Sequence, residues 1–261
     1  MANVCYGLAG LSQEPASLDQ VAGWTEVFMY NPTHSPNEVR VTAYFEEKDP
    51  FSFPDVYQIA PQTSALFVMP EVAPVAFDNT GFCGLRFEST RHLDPIMIQL
   101  NGSQATLTEL PAFKGGCSHL LGVGLASEWH FADGLWLDWK RFYQGDLSKA
   151  PFPFNQLENY FFLNPGSAEA RVELILQYRN IERDTVHLTV APGRCLAWCN
   201  YEKVPYNQPY AVKIVSSDPI AASSARYVYG LNGPGEWGIN LHCGMPGQPG
   251  PYTAWQSMRE R

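Results

Sequence analysis

Ala211-Val-Lys-Ile-Val-Ser-Ser-Asp-Pro-Ile220 alternates apolar and polar side chains from Val212 to Ile214 and then breaks at Asp218-Pro219. A two-residue period puts alternate side chains on opposite faces of an extended strand. Proline, which cannot donate to a ladder, belongs at an edge, a strand end or a bulge. The same ending, Asp94-Pro95-Ile96, lies 124 residues earlier, after the run Cys83-Gly-Leu-Arg-Phe-Glu-Ser-Thr90.

Working outward, more segments match in the same order. Gln58-Ile-Ala-Pro61 matches Thr189-Val-Ala-Pro192, and Val39-Arg-Val-Thr-Ala-Tyr-Phe45 matches Ala170-Arg-Val-Glu-Leu-Ile-Leu176, both at an offset of 131. Phe28-Met-Tyr-Asn-Pro32 matches Phe161-Phe-Leu-Asn-Pro165 at 133, and Tyr6-Gly-Leu-Ala9 matches Trp129-His-Phe-Ala132 at 123. Five colinear matches at nearly constant spacing predict a duplicated unit, residues 1–124 followed by 125–261. Each matched block reads as a strand, with Asn-Pro and Ala-Pro as its stops. Short alternating runs with little helical periodicity predict an all-β protein of two tandem antiparallel, jelly-roll-like β-sandwiches. A short helix is expected at 16–22 or 136–142.

Composition agrees with short strands and tight loops. Charged residues are 16% of the chain, below the roughly 25% usual for soluble domains, while there are 21 glycines and 21 prolines. A net charge of −9 without a basic run argues against nucleic acid as a partner. No apolar run is long enough to cross a bilayer, so no membrane insertion is expected. Residues 1–11 carry no basic n-region and only a short, glycine-broken apolar stretch, so no signal peptide is expected. The six cysteines are too sparse for a disulfide framework at this length, which suits reduced thiols in a cytoplasmic protein.

The second half carries Trp129-His-Phe-Ala-Asp-Gly134, Glu158-Asn-Tyr-Phe-Phe-Leu-Asn164, Ala170-Arg-Val-Glu-Leu174, Tyr210 through Ile220, and Ala225-Arg226. In this order and spacing it resembles the sensory rhodopsin transducer family over most of residues 126–245, and more faintly over 3–120. The resemblance implies a cytoplasmic jelly-roll sandwich similar to carbohydrate-binding modules, assembling as a tetramer. The family protein is one module. A fused double would therefore form a homo-oligomer in which two chains supply four modules with twofold symmetry. The family's opening motif falls on Trp129, Ala132, Asp133 and Gly134, its acidic residue on Glu158 and its arginine on Arg226. Two departures stand out: Leu157 replaces the usual His, and Ser223-Ser224 replaces the polar pair before the arginine.

Matched by these offsets, the first half has Tyr6 for Trp129, a gap between Ala9 and Gly10 for Asp133, Thr25 for Glu158 and Gly102 for Arg226. A ligand site is therefore expected in the second half. Asp133, Glu158 and Arg226 could hold a polyol through charge-assisted hydrogen bonds; the competing role is a buried ion network that fixes strand order. Trp129 and His130, from the stretch that carries the family's opening motif, and Trp136 and Trp139, whose rings could stack on the C–H faces of sugars, complete the candidate ligand-binding set. Rings so dense along 135–143 serve equally well as an interface.

Cys195 and Cys199, four apart on one strand face, could join His130, His187 or His242 in a soft metal site, but their spacing is not a zinc knuckle and small buried thiols are the simpler reading. No metal or cofactor is expected. Nucleophile elbow, Walker loop and His-Glu-x-x-His are absent, so no catalytic residue is assigned. Two functions compete. One is a non-catalytic binding or adaptor protein for a small polar, carbohydrate-like ligand or a protein partner. The other is an enzyme or enzyme subunit acting on a sugar or polyol, with Asp133 and Glu158 as the acids.

Overall fold

A computed structural model describes residues 3–10, 12–13, 21–68, 83–103, 115–120, 124–152, 154–179, 182–230, 233–243 and 245–246. The protein is all-β, and every described strand pairing is antiparallel. The first half contains β1 (Asn3–Gly10), β2 (Ser12–Gln13), β3 (Val21–Tyr30), β4 (Asn37–Tyr44), β5 (Phe51–Ser52), β6 (Tyr57–Ile59), β7 (Ser64–Val68), β8 (Cys83–Ser89), β9 (Asp94–Ser103) and β10 (Gly115–Leu120). The second contains β11 (Ala126–Leu135), the helical turn α1 (Trp139–Phe142), β12 (Phe154–Asn164), β13 (Ala170–Tyr178), β14 (Arg183–Val190), β15 (Arg194–Cys199), β16 (Pro209–Gly230), β17 (Gly233–Cys243) and β18 (Met245–Pro246). The helix predicted at 136–142 is α1. At the other site, residues 16–20 lie outside the described residues, and Val21 and Ala22 are strand.

One first-half sheet runs β1-β8-β4, with β5 and β6 on β4; the other runs β10-β9-β3, with β2 and β7 on β3. In the second half, the long strand β16 serves both sheets. Its first part pairs with β11 and β13, and β13 carries β14; its last part pairs with β12 and β17, and β12 carries β15. Strand for strand, β1-β8-β4-β6 corresponds to β11-β16-β13-β14, and β10-β9-β3-β7 to β17-β16-β12-β15. The bend in β16 lies between Ser216, the last partner of β13, and Ala221, the first partner of β12. It coincides with Asp218-Pro219, where proline would break any ladder.

The pairing register corrects several residue matches made from the sequence. Asn37 faces Ile59 as Ala170 faces Val190, so Val39–Phe45 lies two residues out of step with Ala170–Leu176: the offset is 133, not 131, and Val41 corresponds to Leu174. Val41 and Cys5 both face Phe87, as Leu174 and Trp129 both face Ile214. Cys5, not Tyr6, is therefore the counterpart of Trp129. Thr25 pairs with Gln99, as Glu158 pairs with Arg226, so the counterpart of Arg226 is Gln99 and not Gly102. By the same register Asp94 corresponds to Ala221, and the two Asp-Pro-Ile segments sit three residues out of step. A single odd-residue slip exchanges the faces of a strand, which is why Tyr6 and Trp129 point in opposite directions.

Alternation drives the interior as expected. Val39, Val41 and Ala43 are buried between exposed Glu38 and Arg40, and Val172 and Leu174 alternate with exposed Arg171 and Glu173. The outer face of β1-β8-β4 is not left to solvent. Leu8 and Gly84 on that face meet Leu163 of β12, and the buried cluster of the first half takes in Phe161, Leu163, Cys195, Ala221 and Ala225 from the second. Along the β15 edge, Cys195 N–H donates to Phe45 O at 3.0 Å, and the Arg194 guanidinium reaches Lys48 O and Asp49 Oδ1 at 2.6 and 2.7 Å. Burying a large apolar side chain contributes roughly 1.5–3 kcal/mol, so Phe161 and Leu163 alone make this contact substantial.

Candidate functional site

Glu158 sits on β12 directly across from Arg226 on β16. The ladder places the two side chains on one face, and the charges meet: Arg226 Nε and Nη2 donate to Glu158 Oε1 at 3.0 and 2.9 Å. The other oxygen, Oε2, accepts from Tyr210 at 2.9 Å and from Tyr160 at 3.1 Å. Tyr160 is two residues along the same strand and therefore shares the face of Glu158. Asn200 locks the group from the turn after β15: its Oδ1 accepts from Glu158 N–H at 3.1 Å and its Nδ2 donates to the Tyr210 hydroxyl at 3.0 Å. Gly134 makes room for this arrangement, since a Cβ there would run into the Tyr210 ring.

Glu158 is 3% exposed and Arg226 16% by side chain. Burial pushes the Glu158 carboxyl above the usual carboxylate range, and the Arg226 charge and the two tyrosine hydroxyls oppose the rise without cancelling it. Burial likewise raises Tyr160 and Tyr210, so both hydroxyls stay protonated and donate. Both oxygens of Glu158 are thus taken by held donors. A buried carboxylate matched in this way fixes geometry.

An aromatic cap adjoins the network. Leu137 bridges to Gln156, and Gln156 Nε2 also donates to Leu135 O at 3.1 Å, two residues before Glu158. Asp138 caps α1 by accepting from Arg141 N–H at 2.9 Å. Trp136 and Trp139 are both buried, with the Arg141 guanidinium 5.3 Å over the Trp136 ring. Phe142 and Tyr206, edge to face, remain exposed on the outside. Asn207 holds the cap from below with a left-handed backbone (φ 61°) and donates its N–H to Trp136 O at 2.6 Å. Among the described residues, the buried Trp139 Nε1 and Asn207 Nδ2 have no hydrogen-bond partner. Buried donors in native proteins are normally paired.

The candidate residues therefore divide. Glu158 and Arg226 come together, and the segment that carries Trp136 and Trp139 is tied to them through Gln156, which donates to Leu135 O at 3.1 Å and to Glu158 Oε1 at 3.5 Å. Trp129 is fully buried and its Nε1 donates to Ile220 O and Ala126 O, so it is a core residue with no face for a ligand. His130 points to the opposite side of β11 and bonds Glu128 at 2.8 Å. The backbone of Asp133 is in β11, and its side chain lies outside the described residues. Tyr160 could have been found from its spacing to Glu158. Asn200 and Tyr210 could not, because only the folded sheets bring them in.

For the thiols, Cys195 donates to Tyr44 O at 3.3 Å, and burial pushes it up to about 12. Among the described residues no group of three His, Cys, Asp or Glu is placed to hold a metal, and no helix is long and apolar enough to cross a membrane. The side chains of His242 and Cys243 lie outside the described residues.

No protein-family profile matches the chain, and no curated protein does. Among solved structures, the chain is similar to Thermotoga maritima 1070 at 18% identity and a TM-score of 0.39, covering 48% of this chain and 97% of that one. It is similar to the Anabaena sensory rhodopsin transducer at 22% identity and a TM-score of 0.29, covering 40% of this chain and 97% of that one.

Proposed function

We propose that this chain is a non-catalytic, cytoplasmic binding or adaptor protein of the sensory rhodopsin transducer-like type, made of two copies of one sandwich. Its second copy recognises a small polar, carbohydrate-like ligand at the aromatic cap. The reading is carried by one observation: buried donors without acceptors in the cap, Trp139 Nε1 and Asn207 Nδ2. A hydroxyl-rich ligand supplies the acceptors, and the cap supplies rings for its C–H faces. The matched strand orders support duplication, and the loss of the Glu158–Arg226 pair to Thr25 and Gln99 supports a single active copy. Glu158 serves this site as a positioning residue. With both oxygens occupied, it is poorly suited to act as a general acid or nucleophile. Two chains would complete a four-module homo-oligomer.

The test is calorimetric titration of the full chain with glucose, trehalose and myo-inositol, repeated on Trp139→Phe and Arg226→Lys. A saturable heat with at least tenfold weaker binding in Trp139→Phe supports the reading. No heat from any of the three, or equal affinity in all proteins, overturns it.

A further inference from the structure

A second concavity lies between the halves, away from the aromatic cap. Tyr6, Tyr44 and Arg86, on the outer face of β1-β8-β4, form one side of a cleft of about 520 Å³. The loop from Asn164 to Ala168 and the bend at Asp218-Pro219 form the other. The size is that of a small-molecule site. Both sides are rigid. Asn164 ties its loop by donating to Ala168 O and Val190 O at 2.8 and 3.0 Å and accepting from Gly166 N–H at 3.0 Å. Arg86 is aimed by its ion pair with Glu88 at 2.8 Å and by a hydrogen bond to the Tyr6 hydroxyl.

Among the described residues, the charged groups lining this cleft are one cation, Arg86, and one anion, Asp218, contributed by different halves. Arg86 has five N–H donors in a planar fork and keeps donors beyond those given to Glu88 and Tyr6. Asp218 takes a hydrogen bond from Ser217 Oγ at 2.9 Å on Oδ2, and no cation pairs with it among the described residues. A purely anionic or purely cationic ligand would find an opposite charge on only one side of the cleft, at Arg86 beyond its Glu88 pair or at Asp218. A dipolar one, with carboxylate and ammonium, satisfies both. We infer that the inter-half cleft is a binding site for a small zwitterion of the free α-amino acid class, its carboxylate on Arg86 and its ammonium on Asp218. This inference does not rest on the sugar reading of the aromatic cap.

Thermal-shift and calorimetric titrations of the full chain with glycine, alanine, leucine and glutamine test it. The N-acetyl and methyl-ester forms of the same amino acids each lack one charge. The expected result is a saturable shift with at least one free amino acid, and at least a tenfold loss of affinity with either blocked form. Arg86→Gln and Asp218→Asn lose binding to the same degree, whereas Arg226→Lys, at the aromatic cap, keeps it. Asp218 is at the surface and its amide is nearly isosteric, so Asp218→Asn decides the matter if Arg86→Gln does not fold. The proposal is overturned if no free amino acid binds, if the blocked forms bind as well, or if Asp218→Asn leaves affinity unchanged. Sugars competing at the Arg86 side would overturn the ligand class.

Discussion

Asn31 and Asn164 make the same hydrogen bonds in the two halves. Each Nδ2 donates to the carbonyl four residues on, Ser35 at 2.8 Å and Ala168 at 2.8 Å. Each also donates to the last residue of the equivalent later strand, Ile59 at 3.1 Å and Val190 at 3.0 Å. Each Oδ1 accepts from the backbone two residues ahead, Thr33 at 3.1 Å and Gly166 at 3.0 Å. Asn-Pro is thus more than a strand stop: the buried amide closes the corner that follows.

Replacing either asparagine with alanine strands buried carbonyls and an N–H. The expected loss is about 2–4 kcal/mol for each variant, from bonds worth about 1 kcal/mol each and the added cost of unpaired groups. Urea unfolding of Asn31→Ala and Asn164→Ala checks this. A loss in one and none in the other would show that the corners are not mechanically equivalent.

Glu158 links stability to pH with a definite sign. Its carboxyl is raised in the folded chain, so above about 4.3, the ordinary glutamate value, the folded state holds the proton more firmly than the unfolded one. The stability this contributes is present below that pH and is lost as pH rises through the raised value. Glu158→Gln removes the titration. Melting curves from about pH 4 to 8 should therefore show the wild type losing ground to the variant as pH rises, and parallel profiles would refute the assignment.

Gly84 permits the close approach of the halves. A Cβ there would lie 3.1 Å from Leu163 Cδ2 and 3.2 Å from Leu8 Cδ2. Gly84→Ala should cost about 1–3 kcal/mol, as overpacking does. Gly124→Ala, with nothing within 4 Å of its new carbon, should stay within about 0.5 kcal/mol of the wild type. Thermal unfolding distinguishes them.

Strand identity was readable from alternation at Val39–Phe45 and Ala170–Leu176, because burial on one face imposes a period of two. Register was not readable. The Tyr6–Trp129 match slipped by one residue and Gly102 stood in for Gln99, because short apolar words align at several offsets and only ladder pairing distinguishes them. The Glu158–Arg226 pairing was anticipated from the family resemblance. The tyrosine and asparagine partners were not, since they arrive from a strand start and a turn far along the chain. Trp129 entered the candidate ligand set through the family's opening motif, yet its indole N–H is held by Ala126 O and Ile220 O inside the sandwich.

Leu8 and Gly84 are shielded from water by Leu163 of the other half, and Phe161 and Ala221 join the same buried cluster. Tandem modules joined by a bare tether can tumble and melt separately. Here neither half can swivel against the other without wetting that shared seam. Heating should therefore produce one calorimetric transition for the pair, in which detachment and melting are the same event.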